Sequence, residues 1–263
     1  MSRMLLLCGL ASSVAGAQDL SITIENTSPT GGFFFTPVWV AAHDGSFDSY
    51  DGGDFASAFP GITEIAEGGD TGPISDRFAA SSAGLAGGVQ TTVAGTDGPD
   101  GAPVYAPGES FSFNLNVGDS TVNRYFSYAS MVVPSNDLFF ANGNPMAHEL
   151  FDAGGTFNGP MTIEIYGRDV NDNGTEVNNA FGGAAFSANG GADMDESFVI
   201  RDFFTDAGDE GYLMSFVGTD TAIGTTITNA FDGSTLIARI TIVPAPASLM
   251  LLGGAGLMAR RRR

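Results

Sequence analysis

A chain of 263 residues with 30 Asp plus Glu, ten arginines and no lysine carries a formal charge of −20. Nucleic acid is excluded as a partner, because almost nothing would neutralise its phosphates, and unassisted binding to anionic lipid is disfavoured for the same reason. A single cysteine, Cys8, leaves neither a disulfide nor a Cys-ligated zinc to hold the fold.

In chain order, residues 1–17, "MSRMLLLCGLASSVAGA", place a charge at Arg3, an apolar run from Met4 to Leu10 and an A-x-A pattern at Ala15-Gly16-Ala17. They read as a signal peptide, with the mature chain starting at Gln18. Cys8 lies inside this segment with too short an apolar run ahead of it for a lipoprotein. Residues 18–243 are expected to form one domain, with 30 acids against five arginines and hence a charge near −25. A surface this acidic repels itself, and divalent cations would relieve the strain.

Within that region "DLSITIENTS" alternates through Leu20, Ile22 and Ile24 and predicts a first strand. "FFFTPVWVAAHD" is apolar enough for a buried strand, with Pro37 marking a bulge or an edge. Helical turns are expected only around 61–67 and 74–85. "ESFSFNLNVG" alternates through Phe111, Phe113, Leu115 and Val117, and the following "VGDST" around Ser120 reads as a hairpin turn. "YFSYASMVVPS", "GPMTIEIYGRD", "GYLMSFVG" and "STLIARITIV" supply further strands, and 178–196 reads as a long surface loop. About eight strands with turn-rich spacing predict an all-β fold, an antiparallel β-sandwich with long loops and minor helix.

The C-terminal residues 244–263 contain an apolar or small-residue run from Ala247 to Ala259, 13 positions long, followed by four arginines. A bilayer span needs about 20 residues, so this run suits transient membrane retention better than a permanent anchor. The order of Pro-containing motif, apolar run and basic tail resembles the PEP-CTERM class of bacterial sorting signals. Val243-Pro244-Ala245-Pro246-Ala247-Ser248 stands where that class shows Val-Pro-Glu-Pro. The resemblance implies export from a Gram-negative cell, processing of the tail and delivery to the cell surface or the surrounding matrix; an ordinary tail anchor is the alternative.

"DVNDNGTEVN", residues 169–178, collects Asp169, Asp172 and Glu176 among Asn171, Asn173, Asn178 and Gly174. Calcium takes six to eight oxygen ligands, and carboxylates, carboxamides and backbone carbonyls all serve. Zinc fits poorly, with no His or Cys nearby in sequence. Asp169, Asn171, Asn173 and Gly174 satisfy the start of an EF-hand loop, but its twelfth position is Ala180 in place of a bidentate Glu, and no flanking helix is apparent. Without an ion, the stretch is a solvated acidic turn.

"SMVVPSNDLFF", residues 130–140, together with "DNGTEVN", resembles the spondin N-terminal domain, the F-spondin and mindin family, which also occurs alone in bacterial secreted proteins. Pro134-Ser135-Asn136-Asp137-Leu138-Phe139 matches the family's Pro-Ser/Thr-x-Asp turn and aromatic, and Asp172-Asn173-Gly174-Thr175-Glu176 matches its Asp-Ala-Gly-Thr-Asp/Glu. "TPVWVAAHDG", "EIAEGGDTGPI", "APGESFSF" and "IARITIV" match further pieces, so the likeness runs from about Ser21 to Val243. It implies a β-sandwich binding Ca2+ at one edge, with ligands at Asp137, Asp172 and Glu176; Glu176 stands where the animal proteins carry aspartate.

Catalytic patterns are sparse. "AHEL" lacks the second histidine of HExxH, no G-x-S-x-G occurs, and the mature chain has no thiol. His43 and His148 are the only histidines. Paired carboxylates arise by chance among 30 acids and do not specify glycosidase chemistry. The expected function is non-enzymatic: an exported calcium-binding domain acting in surface or matrix adhesion. Its partner would be a matrix polysaccharide or a surface protein, with loops 41–60 and 178–196 as the place to meet it. The alternatives are a carboxylate-based polysaccharide hydrolase and a passive matrix component without a specific ligand.

Overall fold

The computed structural model describes residues 18–96, 102–205 and 210–246. The expected signal peptide and the apolar run and arginine tail from Ala247 onward lie outside them. Strand β1 (Asp19–Asn26) follows the sequence alternation: Leu20, Ile22 and Ile24 are buried while Ser21, Thr23 and Glu25 face outward, half exposed. It sits between β5 (Ser110–Asn116) and β11 (Leu236–Pro244), and β8 (Met161–Tyr166) completes an antiparallel four-stranded sheet in the order β5-β1-β11-β8. On the outer face Thr23 Oγ1 meets Ser112 Oγ at 2.7 Å and Glu25 pairs with Arg239 at 2.9 Å.

The second sheet runs β10 (Arg201–Asp202), β9 (Asn171–Asp172), β7 (Leu138–Ala141), β6 (Tyr125–Val133), β3 (Val38–His43) and β4 (Val89–Val93), with β2 (Phe34–Phe35) also on β6. Every residue of β3 is buried, because this sheet is covered on both faces. Val38, Val40 and Ala42 join the core between the sheets. Trp39 and Ala41 point the other way, into a second core with Phe47, Ile62, Ile65, Ile74 and Phe78. That second core is roofed by α1 (Ile62–Gly68), α2 (Gly72–Ala80) and α3 (Ser82–Leu85). Trp39 is fixed there by a 2.7 Å hydrogen bond from Nε1 to Gln90 Oε1, by the tilted ring of Phe47 and by an edge contact with Phe78.

The fold is therefore an antiparallel β-sandwich with a helical cap on the larger sheet. Three expectations need correction. "GYLMSFVG" is helix α4 (Glu210–Ser215), not a strand: Tyr212, Leu213 and Phe216 are buried, a helical spacing, while Met214 is exposed. "VGDST" is not a hairpin, since β5 and β6 belong to different sheets; Ser120 is buried there, its Oγ donating to the Gly155 carbonyl at 2.9 Å. "FFFTPVWVAAHD" is two strands, β2 and β3, parted at Thr36-Pro37. The sequence reading also passed over β4 as a strand. No described helix is long and apolar enough to cross a membrane.

Candidate functional site

Strand β9 pairs antiparallel with β7 through Leu138↔Asp172 and Phe139↔Asn171. That register sets Asp137, just before β7, against Asn173, just after β9, and the Asn173 N–H donates to the Asp137 carbonyl at 3.2 Å. Beyond it the chain turns at Gly174, with φ +71°, and wraps the Asp137 side chain. Oδ2 accepts from the N–H of Thr175 at 2.9 Å, the N–H of Glu176 at 3.0 Å and the Thr175 hydroxyl at 3.3 Å. Its other oxygen, Oδ1, is buried without a hydrogen-bond partner among the described residues. Burial, and then the neighbouring charge of Asp172, push the Asp137 carboxyl up to about 7 against those hydrogen bonds.

Asp172 is fully buried, and both its oxygens are engaged. Oδ1 accepts from the Gly174 N–H at 2.7 Å, closing the turn; Oδ2 accepts from Asn178 Nδ2 at 2.7 Å and from Arg201 at 3.1 Å. Arg201 also pairs with Glu196 at 3.0 Å. Carboxamide oxygens of Asn173 and Asn178 are buried here without partners, as is Asp137 Oδ1. The junction is thus rich in hard oxygen donors and partly balanced by one guanidinium.

Glu176 donates its backbone N–H to Asp137 and also lines a cleft of about 330 Å³ with Glu64, Glu67, Asp70 and Asp193. Burial, then the charges of Glu67 and Asp193, raise Glu176 to about 7. Burial first, then Glu64, Asp195 and Asp193, raise Glu67 as well. The structure therefore brings Asp137 and Asp172 side by side and sets Glu176 at the mouth of an adjoining acidic cleft. Among the described residues, no group of three or more His, Cys, Asp or Glu side chains is arranged to hold a metal ion. The donor set nonetheless suits calcium in kind: oxygen only, with excess negative charge and an orphaned carboxylate oxygen.

No protein-family model matches the chain, and no curated protein matches it.

The remaining candidates separate cleanly. Asp169 forms a turn, accepting from the Tyr166 N–H at 2.8 Å, and Asn171 donates to the Tyr50 hydroxyl at 2.9 Å; neither side chain joins the junction through a hydrogen bond. Ala180 is buried in the core between the sheets. His43 is a core histidine: Nδ1 accepts from the Gly45 N–H at 3.0 Å, so Nε2 donates to Ser127 Oγ at 2.8 Å, and burial lowers its pKa to about 4. Sequence reasoning missed Arg201 and Glu196. It also missed Asn136, whose Oδ1 takes the Tyr212 hydroxyl at 2.5 Å and which locks the strand end beside Asp137. The motif "PSND" contained Asn136, but its partner on α4 had no local signal.

Proposed function

We propose that this protein is an exported calcium-binding β-sandwich acting in adhesion at the cell surface or in an extracellular matrix. The orphaned, buried Oδ1 of Asp137 beside Asp172 carries the reading, because a buried carboxylate oxygen without a donor is costly and a hard cation would satisfy it. Asp137 and Asp172 would supply the buried carboxylates, Glu176 one from the adjoining cleft. The terminal segments support export, and the family resemblance supports adhesion. The two loops expected to meet a partner support it too. The Gly53 N–H donates to the Ile200 carbonyl at 2.8 Å and the Ile200 N–H to the Asp54 carbonyl at 2.8 Å, so the segment before Phe55 lies against the chain four residues past the long loop. Phe55, Phe181 and Met194 are three of the seven large apolar side chains exposed among the described residues and belong to these two segments, and a fourth, Phe198, follows two residues after the second.

Calorimetric titration of the protein with calcium, beside the Asp172→Ala/Glu176→Ala double variant, tests the metal. Saturable binding lost in the double variant is the expected result. Silence from the folded wild type would make the junction a hydrogen-bonded clasp in which Arg201 is the countercharge, and would withdraw the calcium reading.

A further inference from the structure

A second cleft, of about 410 Å³, shares no lining residue with the acidic one. It opens where edge strand β8 of the smaller sheet faces β6, β7, β9 and β10 of the larger. Because β9 pairs with β7 only at Leu138 and Phe139, the sheet parts beside Ala141. The Tyr50 hydroxyl fills the gap, accepting from Asn171 Nδ2 at 2.9 Å and reaching the Ala141 carbonyl at 3.5 Å.

The floor of the cleft holds two polar groups without a hydrogen-bond partner among the described residues. Tyr128 is only 6 % exposed, lines the cleft, and makes no side-chain hydrogen bond to any described residue. His148 lies 5.7 Å from it with the rings tilted by 31°, and its ring nitrogens are likewise unpartnered among the described residues. Burial lowers the His148 pKa and so favours the neutral imidazole, which can donate at one nitrogen and accept at the other. Around the rim stand Glu164, Arg168, Asp169 and Asp202. Arg168 stacks on the Tyr166 ring at 4.3 Å and forms no ion pair with a described residue. Asp169 spends Oδ2 on the Tyr166 N–H, and Asp202 spends Oδ1 on the N–H groups of Phe204 and Thr205, leaving one oxygen of each for a ligand.

Aromatic faces, unspent hydroxyl and imidazole groups, one cation and carboxylate acceptors suit a ligand with apolar C–H faces and many hydroxyls. An anion would meet Asp169 and Asp202 in a protein of charge −20, and a cation would leave Arg168 without a partner. We infer that this cleft binds one or two units of a neutral saccharide. Its size lies within the roughly 300–1,000 Å³ usual for small-molecule sites. The inference does not depend on calcium, because the two sites share no residue.

The test is a titration of the full-length protein with cellobiose, maltose, lactose, mannobiose and N,N′-diacetylchitobiose, by saturation-transfer NMR and calorimetry, in EDTA and in calcium. At least one disaccharide is expected to bind in both buffers. Tyr128→Phe, which removes a hydroxyl without a partner among the described residues, should weaken it roughly three- to tenfold with the thermal midpoint unchanged. Arg168→Gln should weaken it similarly. Failure of all five sugars to bind overturns the inference, as does binding indifferent to both substitutions or present only with calcium.

Discussion

Asp137 has two oxygens in unequal circumstances, and that inequality makes the residue testable. Oδ2 gathers two backbone N–H groups and a hydroxyl, whereas Oδ1 has nothing. Asp137→Ala strands the Thr175 and Glu176 N–H groups, so a loss of about 2–3 kcal/mol is expected by chemical denaturation. Asp137→Asn keeps an acceptor and relieves the repulsion from Asp172. Without calcium at neutral pH it should lie within about 1 kcal/mol of wild type, while losing any thermal shift on calcium addition. A substantial loss in the Asn variant would mean that the charge itself holds the turn. Asp137, Asp172 and Glu176 were expected from the resemblance to the spondin domain, and the β7–β9 register sets the first two next to each other. Arg201 was illegible, since it reaches Asp172 through a two-residue strand pairing that no local pattern specifies.

At the level of elements, alternation was trustworthy where one face meets solvent and ambiguous where both are covered. β1 shows a period of two because its outer face is wet, and it was readable from Leu20, Ile22 and Ile24 alone. β3 is buried throughout, so its apolar run shows no period and its break from β2 at Thr36-Pro37 was blurred. "GYLMSFVG" failed for the same reason: six to eight apolar residues do not distinguish a strand from a short buried helix. Gly174 is the element-level hinge of the candidate site. An added Cβ would sit 2.8 Å from the Phe198 carbonyl oxygen and 2.9 Å from that of Val199, on a backbone at φ +71°. Gly174→Ala should therefore cost more than the roughly 1–2 kcal/mol of the left-handed conformation alone. Denaturant unfolding measures this, and an unchanged midpoint would show that the turn relaxes freely.

Over the whole molecule the strongest influence is collective charge: 30 acids and ten arginines, with raised carboxyls where burial and like charge coincide. Mutual repulsion predicts a thermal midpoint that rises with sodium chloride, and no change between low and high salt would contradict it. The pH dependence needs its signs kept apart. Asp137 moves from 3.8 and Glu176 from 4.5, each to about 7, so the folded state holds protons that the unfolded chain has released. Their contribution is full below about pH 4 and is lost as pH rises through 7. His43, lowered from 6.5 to about 4, acts oppositely, losing stability as pH falls through that window. Between 4.5 and 6.5 the two effects offset each other. Above 6.5 the histidine has no further effect, and only the carboxyls continue to change. The calcium-free protein should therefore lose stability from pH 6.5 to about 8, read as a falling denaturation midpoint. Calcium competes with the same protons, so the fall should vanish in saturating calcium if the junction binds it. A flat calcium-free profile would mean that Asp137 and Glu176 are already ionised at neutral pH, and the strain that favours a cation would be absent.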